Sequence, residues 1–233
     1  MKSYGQFCPV AKAAELFCER WTPLIVRDLA AGATRFSELR RGVPLMSPTL
    51  LSRRLKQLEA EGVIERRRSP GGSSWTYHLT DAGQEFAPLV EALGVWGQRW
   101  SRRQLAEGEV DLGLLIWSLE RGVDANAFEA PRTVVRLQLT DQAAAKSLWW
   151  FVNQDGRCEL CLEDPGFEVD LYLACSLVTM IYIVRGDISL RHAIDSGRLE
   201  ALGVAKARRA LGAWLNLSPL AAIRSQRADA EAA

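Results

Sequence analysis

Two dipeptides constrain this chain more than anything else in it. Thr22-Pro23 and Ser47-Pro48 each place a small hydroxyl residue before a proline, which caps a helix start and pre-sets its first turn, and each is answered downstream by a glycine, Gly32 and Gly62. Residues 9–18 and 35–41 read as two further short helices, the second ending at Gly42. Then the period changes. Residues 63–68 and 75–79 are short strand-like runs separated by "SPGGSS", a turn-forming loop, so they predict a β-hairpin, and Thr80-Asp81 opens a last helix. Several small helices, a hairpin and a helix follow the order of a winged helix-turn-helix domain.

The stretch "SPTLLSRRLKQLEAEGVIERR" shows what such a helix presents. At about 100° per residue, Leu51, Leu55 and Leu58 fall in one apolar stripe, Thr49, Arg53 and Lys56 lie opposite it, and Ser52 lies between. The helix is about 21 Å long, and its width suits the major groove of B-DNA, where Arg pairs with guanine and Lys reaches phosphate. An ordinary amphipathic helix with a solvated face would show the same wheel. What favours DNA is context: small hydroxyl residues at the helix start, and Arg66, Arg67 and Arg68 leading into the loop of the hairpin.

Charge distribution agrees. The whole chain of 233 residues carries a net charge of +1, but residues 1–104 hold 16 Lys/Arg against 10 Asp/Glu, and the remainder 13 against 18. A nucleic-acid-binding module joined to something else has this asymmetry, as would two unlike solvated surfaces. The polar stretch "RRQLAEGEVD", residues 102–111, marks the expected boundary, giving a DNA-binding domain over 1–106, a second domain over 107–225 and a flexible tail over 226–233.

The second half has another grammar. Alternation in "TVVRLQL", "RCELCLE" and "EVDLYLA" predicts half-buried strands, and "NQDG" between "SLWWFV" and "RCELCLE" predicts a hairpin turn with Asp155-Gly156 at positive φ. Helices are expected over 111–123, 176–184, 189–196 and 204–215. The fold class is therefore α+β: a winged helix-turn-helix domain followed by an antiparallel sheet covered by helices.

The pieces "CPVAKAAELF", "WTPLIVRDLAAGATRFSELRRGV", "SPTLLSRRLKQLEAEGVIER", "YHLTDAG" and "WGQRW" come in an order that resembles the HxlR family of bacterial winged-helix regulators across about residues 5–100. The resemblance implies a homodimer on double-stranded operator DNA, with the helix from Ser47 to Ala60 as recognition helix and the hairpin from Arg66 to Leu79 as wing. The DNA-facing residues would be Ser47, Thr49, Ser52, Arg53, Lys56, Arg67, Arg68 and Ser73. Where the family often has a proline pair before the second wing strand, this chain has "SPGGSSW", which leaves the wing tip's contacts open. Leu89, Leu93, Trp96 and Trp100 form one stripe on the closing helix, to be covered within the chain or, as the resemblance implies, by a partner subunit. Some members of the family sense oxidants or electrophiles through a cysteine placed like Cys8, which otherwise is a structural thiol at a helix start.

Residues 170–218 are similar to the sterol-carrier-protein-like fold in the order of "RGDISL", a helix and "SGRLEALG". That resemblance implies an apolar tunnel and an apolar small-molecule effector. Trp149, Trp150 and Phe151 are either its wall or plain core packing.

Other chemistry is not signalled. Cys158 and Cys161 form a CxxC, but strand positions three apart face opposite ways, so the thiols do not converge on a metal. Five scattered cysteines do not resemble a secreted disulfide framework. No phosphate-binding loop, dinucleotide fingerprint or nucleophile elbow occurs. The longest apolar runs, 112–119 and 177–184, are too short to span a bilayer. The expectation is a cytoplasmic, homodimeric regulator that is not an enzyme and needs no metal or cofactor. The rival is a small-molecule or lipid carrier with vestigial DNA binding.

Overall fold

A computed structural model describes residues 3–69, 72 and 74–226, and the chain divides into two units, Met1–Trp96 and Gly97–Ala233. In the first unit the order is α1 (Pro9–Phe17), α2 (Thr22–Ala30), α3 (Phe36–Gly42), α4 (Pro48–Ala60), β1 (Ile64–Arg68), β2 (Trp75–Leu79) and α5 (Asp81–Trp96). The start signal at Ser47 works as expected: its hydroxyl accepts from the Leu50 amide at 3.3 Å, with Pro48 in the first turn. The one at Thr22 works differently. Trp21, at φ +78°, precedes the helix, and Thr22 is a fully buried first-turn residue rather than the cap.

Leu51, Leu55 and Leu58 of α4 are buried, with Ile25 and Val26 of α2, Leu39 of α3 and Ile64 of β1 completing the core around them. The hairpin pairs Arg66 with Tyr77, Arg67 with Thr76 and Arg68 with Trp75. It is tied back to the helices where Tyr77 N–H donates to the Thr34 carbonyl at 2.7 Å. The glycine of "YHLTDAG" has a specific reason. A Cβ on Gly83 would lie 2.1 Å from the Val63 carbonyl oxygen, an oxygen that already accepts from the Thr80 amide at 3.1 Å. Only hydrogen fits where α5 starts.

The second unit opens on a π-helical turn, Gly97–Ser101. It continues through α6 (Leu112–Gly122), β3 (Arg132–Leu139), α7 (Ala144–Ser147), β4 (Leu148–Gln154), β5 (Arg157–Cys161), β6 (Leu171–Cys175), α8 (Leu177–Arg185), α9 (Leu190–Asp195), β7 (Leu199–Gly203) and α10 (Ala205–Leu215). It begins before the polar stretch at 102–111 because the segment after Trp96 is bonded into it. Gln98 Nε2 donates to the Arg185 and Leu220 carbonyls, both at 3.0 Å, and Arg102, nine-tenths buried, pairs with Asp187.

The five-stranded sheet has the order β5-β4-β3-β6-β7. It is mixed, which corrects the antiparallel expectation: β3 and β6 run parallel, Val135 opposite Leu171 and Leu139 opposite Cys175, while the other pairs are antiparallel. The chain reaches β6 by crossing the sheet after β5 rather than by a hairpin, which brings it in alongside β3 in the same direction. Val169 at the end of that crossover packs on Val134, Trp150 and Val152, on one face of the sheet. The other face, with Val135, Leu137, Phe151, Leu171 and Leu173, forms the main core with α6, α8 and α10. The Asp155-Gly156 turn has φ of 52° and 70°, as its sequence requires. Among the described residues no helix is long and apolar enough to cross a membrane.

Candidate nucleic-acid interface

Helix α4 sorts its two adjacent arginines by the helical period. Arg53, on the side of the helix opposite the apolar stripe, is exposed with Thr49 and Lys56, and Ser52 is half-buried beside them. Neither Arg53 nor Lys56 forms an ion pair with a described residue. Arg54 is turned inward, 8% exposed. Its guanidinium donates to Glu19 at 2.8 Å and to Gln57 at 2.6 Å, so it joins α4 to the end of α1. The helix start itself, Ser47 and Thr49, is exposed.

The hairpin arginines divide in the same way by strand alternation. Arg66 and Arg68 lie on one face, their guanidiniums 4.8 and 5.1 Å from the centre of the Trp75 ring, a spacing at which a cation is drawn to an aromatic face. Arg66 also reaches Glu59 at 3.0 Å. Arg68 donates to the Gly72 carbonyl at 3.4 Å. Arg67, on the opposite face, carries its own counter-charge in Glu65, with Nε 2.9 Å from the carboxylate. Exposed pairs of this kind are worth about 0–1 kcal/mol, so a phosphate can replace the acid. Burial pushes the Tyr77 phenol up, against the lowering charge of Arg66 opposite it. Ser73 lies outside the described residues.

On α5, Leu89, Leu93 and Trp96 are exposed, as is Trp100 in the π-helical turn that follows. Helix α1 buries none of its residues, and Phe7 and Val10 at its start are exposed. The two helices touch through Phe17 and Phe86, whose rings stand edge to face at 4.9 Å. Cys8 is half-buried at the N-cap of α1, where its side chain makes no capping bond. The thiols of the second unit are set against reactivity. Burial, reinforced by Glu120, pushes Cys158 up to about 12, burial with Asp141 does the same for Cys175, and Cys161 is raised by burial and Glu159. Cys158 packs on the main core and Cys161 on the opposite face of the sheet, and among the described residues no cluster of His, Cys, Asp and Glu could hold a metal.

The structure does not bring Trp149, Trp150 and Phe151 together. Successive residues of β4 point to opposite faces, so Phe151 lies in the core, edge-on to Trp214 at 5.5 Å, while Trp150 lies across the sheet with Val134. The Trp149 indole N–H is spent on the Lys146 carbonyl at 2.9 Å. None of the three lines the cavity bordered by Phe128 and Thr133 or the one bordered by Thr140 and Cys175.

A helix pair with an exposed, cationic second helix, followed by a two-stranded wing, defines a DNA-binding winged helix-turn-helix protein of the kind that regulates transcription. The comparisons with known proteins agree. Residues 16–105 match the model of the HxlR-like helix-turn-helix family. An HTH-type transcriptional regulator of Bacillus subtilis, YvaP, is 39% identical over 98 residues, which are 41% of this chain and 91% of that one. Another from Methanothermobacter thermautotrophicus is 33% identical over 103 residues, 44% of this chain and 79% of its own. Among solved structures, the reduced form of the regulator YodB from B. subtilis is 30% identical, covering 44% of this chain and 98% of that one, with a TM-score of 0.36. The chain belongs to the HxlR-like helix-turn-helix family.

Proposed function

We propose that the protein is a homodimeric, sequence-specific transcriptional regulator. Helix α4 enters the major groove with Ser47, Thr49, Ser52, Arg53 and Lys56 toward the bases and phosphates, and the hairpin lays Arg67 and Arg68 along the backbone. The observation that carries this is the unpaired, exposed face of Thr49, Arg53 and Lys56 directly opposite the buried Leu51, Leu55 and Leu58. Large apolar side chains on α1 and α5 are exposed on two helices that touch, a pattern that supports a second copy covering them.

The test is fluorescence anisotropy on duplex DNA from upstream of its own gene, from about 50 to 200 mM salt, against a scrambled duplex. Specific binding whose logarithm falls linearly with log salt is the expected result, since each phosphate neutralised releases counterion. Equal affinity for the scrambled duplex would remove the sequence-specific part of the reading. Two further inputs belong to it. Cys8 is the thiol proposed to report oxidants or electrophiles, on its half-buried place at the start of α1; Cys18 is the more exposed thiol of that unit, while Cys158 and Cys175 are held protonated by burial. The second unit is proposed to carry a small-molecule effector, supported by the open cavities on its surface.

A further inference from the structure

Apart from the aromatic trio of β4, a groove elsewhere on the second unit has a lining suited to a ligand. It lies where the entry to β3 meets the first turns of α10 and encloses about 480 Å³, within the range of about 300–1,000 Å³ that holds small ligands. Its lining includes Phe128 and the small side chains of Ala207 and Ala210. The Phe128 ring is held by Trp214, 6.0 Å away at a 34° tilt, so one wall is a fixed aromatic face.

Three features make one end of this groove receptive to negative charge. Helix α10 is 11 residues long, its N-cap is Val204, no side chain caps it, and no acidic residue lies in its first turn, so its free amides and dipole face an anion unopposed by the cap. Lys206 and Arg209, in the first turns of the same helix, also line the groove. Thr133, 3% exposed and on the same face of β3 as Val135, lines it too. Its carbonyl is taken by Asn153 Nδ2 at 3.1 Å, but its hydroxyl bonds to no described residue. As a lining residue of the groove, Thr133 can offer that hydroxyl to a bound molecule.

The acids present have duties of their own. Asp170 Oδ2 accepts from the Val134 amide at 2.8 Å. Glu129, at the lip, is bonded to Lys206 at 3.0 Å, both largely exposed. Lys206, first by that bond and then by its charge, holds the Glu129 carboxyl below the usual carboxylate range, and Arg209 adds to the effect. The groove mouth therefore already binds one carboxylate, tethered and easily displaced.

We propose that this groove binds a small planar carboxylate: Lys206, Arg209 and the first amides of α10 take the carboxylate in place of Glu129, Thr133 supplies a hydrogen bond, and the ring lies against Phe128. That such a ligand would be the effector rests on the reading of the protein as a regulator; the binding itself does not.

The experiment is isothermal titration of the full-length protein with 2-naphthoate and its neutral counterpart 2-naphthamide. Naphthoate should bind saturably and about tenfold or more tighter than the amide, the difference a charge-assisted bond makes. Lys206→Gln and Arg209→Gln should each weaken naphthoate several-fold, and Glu129→Gln should tighten it, because the internal competitor is gone. Thr133→Val should weaken it with little change in melting temperature, since the change keeps the side chain's shape and removes only the hydroxyl. Absence of saturable binding, equal affinity for acid and amide, or weaker binding by Glu129→Gln would overturn the site. Repeating the DNA titration with naphthoate bound separates the two claims: unchanged DNA affinity strikes the effector role and leaves the groove standing.

Discussion

Arg53 and Arg54 are neighbours in sequence and opposites in structure, and replacing each by alanine should separate binding from folding. Arg54 is 8% exposed, while the Glu19 side chain it meets is 35% exposed. Removing one partner of a fully buried pair costs about 3–5 kcal/mol, but Glu19 can turn to water. What remains is the loss of charge-assisted bonds to Glu19 and Gln57 and of a packed side chain, about 2 kcal/mol. In a unit of this size each kcal/mol moves the midpoint by about 4–8 °C, so Arg54→Ala should melt about 8–16 °C lower. Arg54→Met, which refills the space and leaves only Glu19 to re-solvate, should recover much of that loss. Arg53→Ala should stay within about 0.5 kcal/mol of the parent in stability and lose about 1–3 kcal/mol in DNA binding, roughly 5- to 150-fold, with relaxed sequence preference. The assays are a thermal melt followed by circular dichroism and anisotropy at a temperature where every variant is folded. If Arg53→Ala lowers the melting point as Arg54→Ala does, or if folded Arg54→Ala loses DNA affinity as deeply as Arg53→Ala, the orientation of α4 in the reasoning is wrong.

Three other outcomes are expected of the same molecule. Gly83→Ala sets a methyl 2.1 Å from the Val63 carbonyl and should cost about 3 kcal/mol, at the upper end of overpacking, read as a loss of soluble protein or a lowered urea midpoint; an unchanged midpoint would show that α5 can shift freely. Trp96 is 57% exposed in the single chain, so Trp96→Asp should leave the melting point of the first unit near the parent's yet convert a dimer to monomer in sedimentation velocity, and a variant that still sediments as a dimer removes α5 from the seam. Diamide or quinone treatment should change the DNA affinity of the parent but not of Cys8→Ser; an equal response in both would clear Cys8 of the sensing role.

Most of the first unit was legible in the sequence because its signals are local. Serine-proline starts, glycine stops and the change from helical to alternating period act within a few residues, and they placed α4 and the hairpin where the structure has them. What escaped is partnership across the unit. Nothing in "SRRLKQ" distinguishes a guanidinium that meets Glu19, 35 residues earlier, from one that meets solvent, except the wheel, and there Arg54 falls close enough to the apolar stripe to be drawn inward. Trp75 carries no signal of its role either, since its two arginine neighbours come from the facing strand.

In the second unit the limit is of another kind. Alternation tells which side of a strand is buried but is blind to strand direction, so β3 and β6 read the same whether parallel or antiparallel; the crossover between β5 and β6 decides, and it is a connection without periodicity. The same blindness made Trp149, Trp150 and Phe151 look like a group, though a strand sends the middle one to the other face. Asn153 shows how far a tertiary role can lie from its local signal. Its place in "NQDG" marks a turn, yet it is the buried last step before the turn: its Oδ1 accepts from the Trp214 indole at 2.8 Å and its Nδ2 donates to the Phe151 and Thr133 carbonyls, both at 3.1 Å. One amide thus ties α10 to β3 and β4 in the middle of the sheet. Replacing Asn153 by leucine keeps the volume but strands the indole N–H and the two carbonyls, so the loss should exceed that of one hydrogen bond, about 2–4 kcal/mol, and should appear in a melt of the second unit while DNA affinity of the folded protein is unmoved. A Leu variant as stable as the parent would mean that α10 is held by its apolar face, Ala207, Leu211 and Leu215, without the polar tie.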